Sequence, residues 1–242
     1  MCGRFILISS SKQLAEEFGL VETSEARRSY NMAPLQEMSV IGLSRDGFGG
    51  LQLTHLKWGM VPSGPYSRIS RVFINASSEA IDSKPTIKRS FKSRRALIPT
   101  NGFYEWAKFN RKTNQPYFVH LENFKLFPLA GIYDEAISSS GAKFGSCAIV
   151  TTQSDGILKK IHAIAPVIIK NKNFDLWLGA KDIGTEEFRD ILAPVRVISA
   201  KNVSCKFKGE QNRFDEPSCI APIGNVDIDR RPLTQPTLLL SD

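Results

Sequence analysis

What most limits the fold of this chain is the spacing of its apolar runs, which are short, strand-like and separated by turn residues. They fall at residues 3–8, 37–43, 52–58, 96–99, 103–107, 117–121, 126–133, 145–152, 165–169 and 195–199. Helical periodicity is confined to residues 11–19, 77–81, 154–161 and 185–192. In residues 11–19, Leu14, Ala15 and Phe18 share a face, a serine can cap the start and Gly19 can end the helix. A parallel sheet needs strands alternating with crossover helices, and that rhythm is absent. The pattern predicts an α+β fold: a single domain on a curved antiparallel β-sheet or barrel-like core, with a few short flanking helices. Without internal repeats or a low-complexity linker, residues 1–224 are read as the domain and 225–242 as an extended tail.

Composition narrows the class. The chain has 242 residues, 42% hydrophobic and 23% charged, which is a globular balance and argues against disorder, collagen and coiled coil. A single core at this length buries roughly 70–75% of the unfolded surface, so no staple is needed for stability. Uninterrupted apolar runs such as residues 166–169 and 238–240 fall far short of the ~20 residues of a membrane span, so a soluble protein without a membrane partner is expected. Met1-Cys2-Gly3-Arg4-Phe5 has no basic segment leading into an apolar stretch, so no secretory signal is read, and a cytoplasmic monomer is expected. With 32 Lys and Arg against 24 Asp and Glu, the net charge of +8 selects polyanions as partners. The cysteines are Cys2, Cys147, Cys205 and Cys219, with no C-x-x-C pair, and His55, His120 and His162 are scattered. Zinc-site spacing is absent, and neither metal nor cofactor is expected. Cys147, inside Cys147-Ala148-Ile149-Val150, reads as a buried small hydrophobe.

Cys2 differs because of where it is. A residue this small permits removal of the initiator methionine, which leaves an α-amine and a thiol on one residue. Their ordinary pKa values, about 7.7–8.0 and about 8.5, put a useful fraction of each in nucleophilic form near neutral pH. Facing an aldehyde, such a 1,2-aminothiol forms a Schiff base through nitrogen and closes through sulfur to a thiazolidine, which hydrolyses far less readily. Position alone still favours the blander alternative, a buried N-terminal cysteine with no reactive role. If Met1 is retained, the amine belongs to Met1 and the ring cannot form.

The company Cys2 keeps reverses that preference. Met1-Cys2-Gly3-Arg4-Phe5, Tyr30-Asn31-Met32-Ala33-Pro34, Trp58-Gly59-Met60-Val61-Pro62, Asn75-Ala76, the run from Arg95 to Trp106 containing Gly102-Phe103-Tyr104-Glu105-Trp106, and Ile161-His162 occur in that order. Together they strongly resemble the SOS-response-associated peptidase family, whose members sense and covalently crosslink abasic sites in single-stranded DNA. The resemblance runs from Met1 to about Pro222. It implies that Cys2 is the nucleophile toward the ring-opened sugar aldehyde, Glu105 and His162 handle protons, and Asn75 orients the reacting groups. Strand alternation puts Phe103 and Glu105 on one face and Tyr104 and Trp106 on the other, and a carboxylate among aromatics is expected to have a raised pKa. His55 and His120 match no motif and are read as structural or exposed.

The resemblance also implies a partner, single-stranded DNA containing abasic sites. Arg4 is the first phosphate contact to name, with Asn31, Pro34 and Trp58 contributing to the groove. Residues 84–95 carry six basic residues and no acid, and Lys88 and Arg89 are the candidate DNA contacts there, against the alternative of a solvated basic face. Two positions depart from the family pattern: Ser77 and Ile164 stand where an arginine is usual. Either neighbouring basic residues such as Arg71, Lys88 or Lys160 compensate, or binding before the reaction is weaker, or the substrate is shifted. Two rival readings stay open: a cysteine peptidase or amidase with Cys2 as nucleophile and His162 as base, and a non-covalent single-stranded nucleic-acid binder.

Overall fold

The computed structural model of the protein describes residues 2–44, 49–63, 72–108, 114–121, 125–138, 140–179, 185–194, 199–203 and 214–227. Helix α1 (Ser11–Phe18) forms where its periodicity predicts, burying Leu14 and Phe18. The Gln13 N–H donates to the Ser10 hydroxyl while the Ser10 N–H donates back to the Gln13 side chain, and Gly19 ends the helix at φ 64°. Such a reciprocal cap is worth about 1 kcal/mol.

Two sheets make up most of the molecule. The first is antiparallel throughout, in the order β14 (Pro222–Asp227), β13 (Ser199–Val203), β9 (Asn114–His120), β8 (Gly102–Lys108), β1 (Arg4–Leu7), β3 (Ser29–Met32). The second runs β12 (Ile164–Pro166), β11 (Lys143–Gln153), β10 (Phe127–Ile137), β7 (Arg95–Thr100), β4 (Glu37–Leu43), β5 (Leu51–Trp58), β2 (Leu20–Glu22), with β6 (Asn75–Ser77) also on β11. β11 pairs with β5 as well as β10, with Ser146 opposite Lys57 and Cys147 opposite Trp58, so β11, β10, β7, β4 and β5 close into a five-stranded barrel. The expected α+β class and barrel-like core are therefore present. The closing pair is parallel, as are β2–β5 and β6–β11, where antiparallel pairing was expected. Parallel neighbours need long connections, and residues 59–142, 84 in number, separate β5 from β11.

Register sorts the barrel's side chains. Met38, Val40, Trp58, Ile98, Leu129, Cys147 and Ile149 fall on one face, the interior, and all are buried. Ile41, Leu53, Leu97, Ala130, Ile132, Ala148 and Val150 fall on the other and are buried too. A cavity of about 500 Å³, lined by Gly42, Gln52, Thr54, Tyr133 and Glu135 among others, opens at one end of the barrel.

The basic run at 84–95 becomes helix α2 (Pro85–Ser93), started by proline at its first turn and burying Ile87 and Phe91. Arg95 is 4% exposed. Its guanidinium donates to the carbonyls of Phe91 and Lys92 at the end of α2, and to those of Trp177 and Gly179 at the end of α4 (Phe174–Leu178). One cation thus serves the negative ends of two helices, and it lies 4.9 Å from the Phe188 ring centroid. Asp134, fully buried, accepts from Arg89 at 2.7 Å, from Arg94 and from the Ser63 N–H at 2.9 Å. Much of the run's charge is therefore structural.

Several short elements differ from their sequence reading. Residues 77–81, expected as a helix, are the end of β6 followed by a 3-10 turn at Ser78–Ala80. The helix at 154–161 shortens to α3 (Gly156–Lys159), and that at 185–192 splits into a 3-10 turn, Thr185–Phe188, and α5 (Arg189–Leu192). β2, β3, β6 and β14 were not foreseen, because three to six residues with mixed polarity show no clear period of two. Residues 225–227, expected in the tail, belong to β14; residues 228–242, the expected strand residues 195–198, and Met1, Arg71 and Cys205 lie outside the described residues. Among the described residues, no helix is long and apolar enough to cross a membrane.

Candidate active site

The site is assembled where the N-terminal strand meets the barrel. β1 lies between β3 and β8, with Arg4 opposite Tyr104, Phe5 opposite Phe103 and Ile6 opposite Gly102. Gly102 lets β8 lie close against β9, since a Cβ there would stand 2.4 Å from the Phe118 ring and 2.7 Å from the Val119 carbonyl. The turn before it acts as a clamp. The Asn101 side-chain oxygen accepts from the Ile8 N–H at 2.9 Å, and the Thr100 hydroxyl donates to the Ile6 carbonyl at 2.7 Å. Neither residue was singled out in the sequence, where a short polar pair between two apolar runs reads as an ordinary turn.

Cys2 precedes β1 and is fully buried. Its carbonyl accepts from Asn75 Nδ2 at 3.0 Å. Asn75 begins β6, held beside Ile149 of β11. The residue before it is fixed too, because the Ile74 carbonyl accepts from the Trp58 indole at 2.9 Å and from the Ile149 N–H at 3.1 Å. The Asn75 side-chain oxygen is buried without a hydrogen-bond partner among the described residues, an acceptor available to a group entering the site. Burial pushes the Cys2 thiol well above its ordinary pKa, and the nearby Glu105 carboxylate pushes it the same way. The thiol is therefore protonated at neutral pH and needs a base to become a nucleophile.

Glu105 lies on β8, 1% exposed. Burial pushes its carboxyl above the usual range, against the opposing pull of nearby positive charge that includes His162. Its neighbours alternate as the sequence predicts: Phe103 joins the main core, while Tyr104 and Trp106 belong to a separate cluster with Ile6, Phe118 and Cys219. His162 stands between α3 and β12, with Nδ1 4.0 Å from Glu105 Oε2 and its side chain one-third exposed. The Ile164 peptide holds the ring in either tautomer: its N–H lies 3.1 Å from Nδ1, and its carbonyl 3.0 Å from the same atom. Ile164, standing where an arginine is usual in the family, thus contacts the histidine through its backbone. Ser77, the other departure, donates its hydroxyl to Glu79.

The structure gives the candidate DNA-binding residues distinct settings. Arg4 Nη1 donates to Asn31 Oδ1 at 2.8 Å, and Asn31 is 2% exposed. Pro34 is half-buried, next to the exposed Leu35, whose backbone is in the left-handed region at φ 70°. Trp58, expected to contribute to the groove, is fully buried, packed 5.2 Å from the Phe5 ring and hydrogen-bonded to Ile74. It supports the Asn75 segment and has no exposed face on which to stack a base. Lys88 pairs with Asp82 at 3.2 Å, and Arg89 pairs with Asp134. His120 is buried and stacked on Phe118, and His55 contacts the Glu25 carbonyl at 2.9 Å. Cys147 and Cys219 are buried and free. Among the described residues, no group of His, Cys, Asp and Glu is arranged to hold a metal ion.

Comparison with known proteins agrees with this architecture. The Abasic site processing protein YoqW of Bacillus subtilis is 32% identical over 200 residues, spanning 80% of this chain and 87% of its own. The Abasic site processing protein HMCES of Rattus norvegicus is 27% identical over 231 residues, spanning 80% of this chain and 65% of its own. A crystal structure of a Bacteroides thetaiotaomicron protein has the same fold, with a TM-score of 0.77 over 92% of this chain and all of its own at 18% identity. A phage-related protein of Bordetella bronchiseptica gives 0.65 over 84% and 94% at 24% identity. The family model described as SOS response associated peptidase matches residues 1–208. By sequence, the chain belongs to the SOS response associated peptidase family.

Proposed function

We propose that this protein processes abasic sites in single-stranded DNA by forming a covalent crosslink through Cys2 once Met1 has been removed. The observation that carries this reading is the convergence of Cys2, Asn75, Glu105 and His162 from four separate parts of the chain. Relatives at 27–32% identity carry the name abasic site processing protein.

The chemistry follows from the groups present. The ring-opened abasic sugar offers an aldehyde; the α-amine of Cys2 adds to it, and loss of one water gives an imine. The thiol then adds across the carbon–nitrogen double bond, forming a carbon–sulfur bond while nitrogen takes up a proton. Glu105 is suited to move that proton because burial raises its carboxyl toward the working pH. His162 is close enough to exchange protons with it through small movements or a water. Asn75 holds the Cys2 carbonyl, and therefore fixes where the amine and thiol stand.

The test uses protein freed of Met1 and a single-stranded oligonucleotide with one abasic site. Mass spectrometry is expected to find an adduct equal to the two masses less one water, abolished by Cys2→Ala. Equal adduct from wild type and variant overturns the proposal. Cys2-dependent cleavage of peptides without reaction at abasic DNA would instead establish the peptidase or amidase reading. Salt-sensitive binding of equal strength to intact and abasic strands, with no covalent product, would establish the non-covalent binder.

A further inference from the structure

The family match ends at residue 208, yet residues 214–220 pack directly behind the site. Cys219 is fully buried in the cluster that contains Ile6 and Tyr104, with Phe214 and Ile220 packed against it. Polar contacts fix this segment across β3. The Tyr30 N–H donates to Asp215, the Tyr104 hydroxyl donates to the Tyr30 carbonyl at 2.8 Å, and Asn31 Nδ2 donates to the Phe214 carbonyl at 2.7 Å. An asparagine amide has one donating and one accepting end, and without a partner for either it can turn over. The Phe214 carbonyl captures the donating end, so the accepting end must face Arg4, which donates to it at 2.8 Å.

We propose that residues 214–220 are a strap that sets the direction of Arg4 through Asn31, making Asn31, Phe214 and Asp215 positioning residues for the DNA phosphate. The inference rests on the proposed function together with the expectation, implied by the family resemblance, that Arg4 contacts a phosphate of the strand; Arg4 lies opposite Tyr104, on the face of the sheet that the strap covers. It adds a component from beyond the matched family region: the carbonyl that polarises Asn31 comes from the C-terminal strap.

The experiment measures binding of a single-stranded oligonucleotide carrying a tetrahydrofuran analogue of the abasic site, which has no aldehyde and cannot crosslink. Affinity is followed against salt for wild type, Asp215→Ala, Phe214→Ala with Asp215→Ala, Arg4→Ala and the combination of Arg4→Ala with each. Each phosphate contact on a single strand contributes about 0.7 to the salt slope. The strap variants are expected to lose roughly fivefold in affinity, the size of one hydrogen-bonded contact, and to lower that slope by about 0.7. They are expected to change nothing further once Arg4 is alanine. Removing the Asp215 charge by itself would strengthen binding to a polyanion, so the expected loss has the opposite sign to a pure charge effect. Asp215→Asn, which keeps an acceptor for the Tyr30 N–H, should bind at least as well as wild type. Equal losses in both backgrounds, or an unchanged slope, overturn the strap while leaving the DNA reading intact. Absence of probe binding by wild type overturns both.

Discussion

Nδ1 of His162 lies 4.0 Å from Oε2 of Glu105, while the Ile164 peptide offers that same nitrogen both a donor and an acceptor. The ring is therefore held in place whichever of its two nitrogens carries the hydrogen. In the proposed reaction Glu105 and His162 act as one proton-handling unit, and removing either should disable most of it. Glu105→Gln is expected to slow adduct formation by about 10²–10⁴-fold at neutral pH, and Glu105→Gln with His162→Ala by much less than the product of the single losses. Single-turnover crosslinking rates at saturating abasic DNA measure both; a multiplicative double variant would show independent groups.

The raised carboxyl of Glu105 also ties stability to pH. A carboxyl that holds its proton more tightly in the folded protein contributes no penalty below the ordinary carboxylate pKa of about 4.3. As pH rises from there through the higher folded value, ionising it in its buried position lowers stability. Glu105→Gln should therefore be more stable than wild type at pH 7. The difference should shrink toward zero below about pH 4. Chemical denaturation at several pH values reads it directly, and a difference independent of pH would refute the burial argument.

Asn75 is the contact between β6 and Cys2, the proposed nucleophile. Asn75→Ala removes the donor to the Cys2 carbonyl, at a net cost of about 1 kcal/mol, which for a protein of this size lowers Tm by roughly 2–4 °C. The expected effect on crosslinking is larger, at least about tenfold, because misplacement of reacting groups affects rate more than fold. Thermal melts beside adduct rates separate the two, and a rate loss no greater than the stability loss would make Asn75 structural only.

Arg95 belongs to the same basic run as Lys88 and Arg89 but answers to a different selection. Arg95→Met leaves carbonyls at the ends of α2 and α4 without their donor and should destabilise by on the order of 3 kcal/mol. The salt slope of DNA binding by the remaining folded protein should be unchanged. A lower slope would mean that Arg95 reaches the strand despite its burial.

The parts of the site that were legible in the sequence are those whose chemistry is carried by the side chain itself. Cys2, Asn75, Glu105 and His162 each lie in a motif with a distinctive residue, and the alternation across Phe103, Tyr104, Glu105 and Trp106 was readable from a period of two. What stayed hidden depends on backbone groups or on pairing across long distances. Nothing in the residue type at Ile74 or Phe214 indicates that its carbonyl holds Trp58 or Asn31. The barrel closes by a parallel pair between strands whose local patterns give no sign of their partner. The structural part of the basic run is hidden for a related reason: sequence counts its charges but not the buried Asp134 or the helix ends that engage some of them. The family resemblance puts Trp58 in the groove, whereas its indole N–H fixes it inside the core.

The full burial of Cys2 has a consequence in time. A chain grows at about 5–20 residues per second, so β11, which carries both the barrel closure and the partner of Asn75, follows Cys2 from the ribosome by roughly 7–30 s. During that interval the barrel cannot close and Asn75 has no strand to hold it, so the burial of Cys2 is incomplete. An aminopeptidase requires an extended, accessible end, so the removal of Met1 on which the proposed reaction depends has to occur before β11 docks. Molecules that fold first would carry a blocked nucleophile until they unfold, and the reactive fraction would be decided by a race during synthesis.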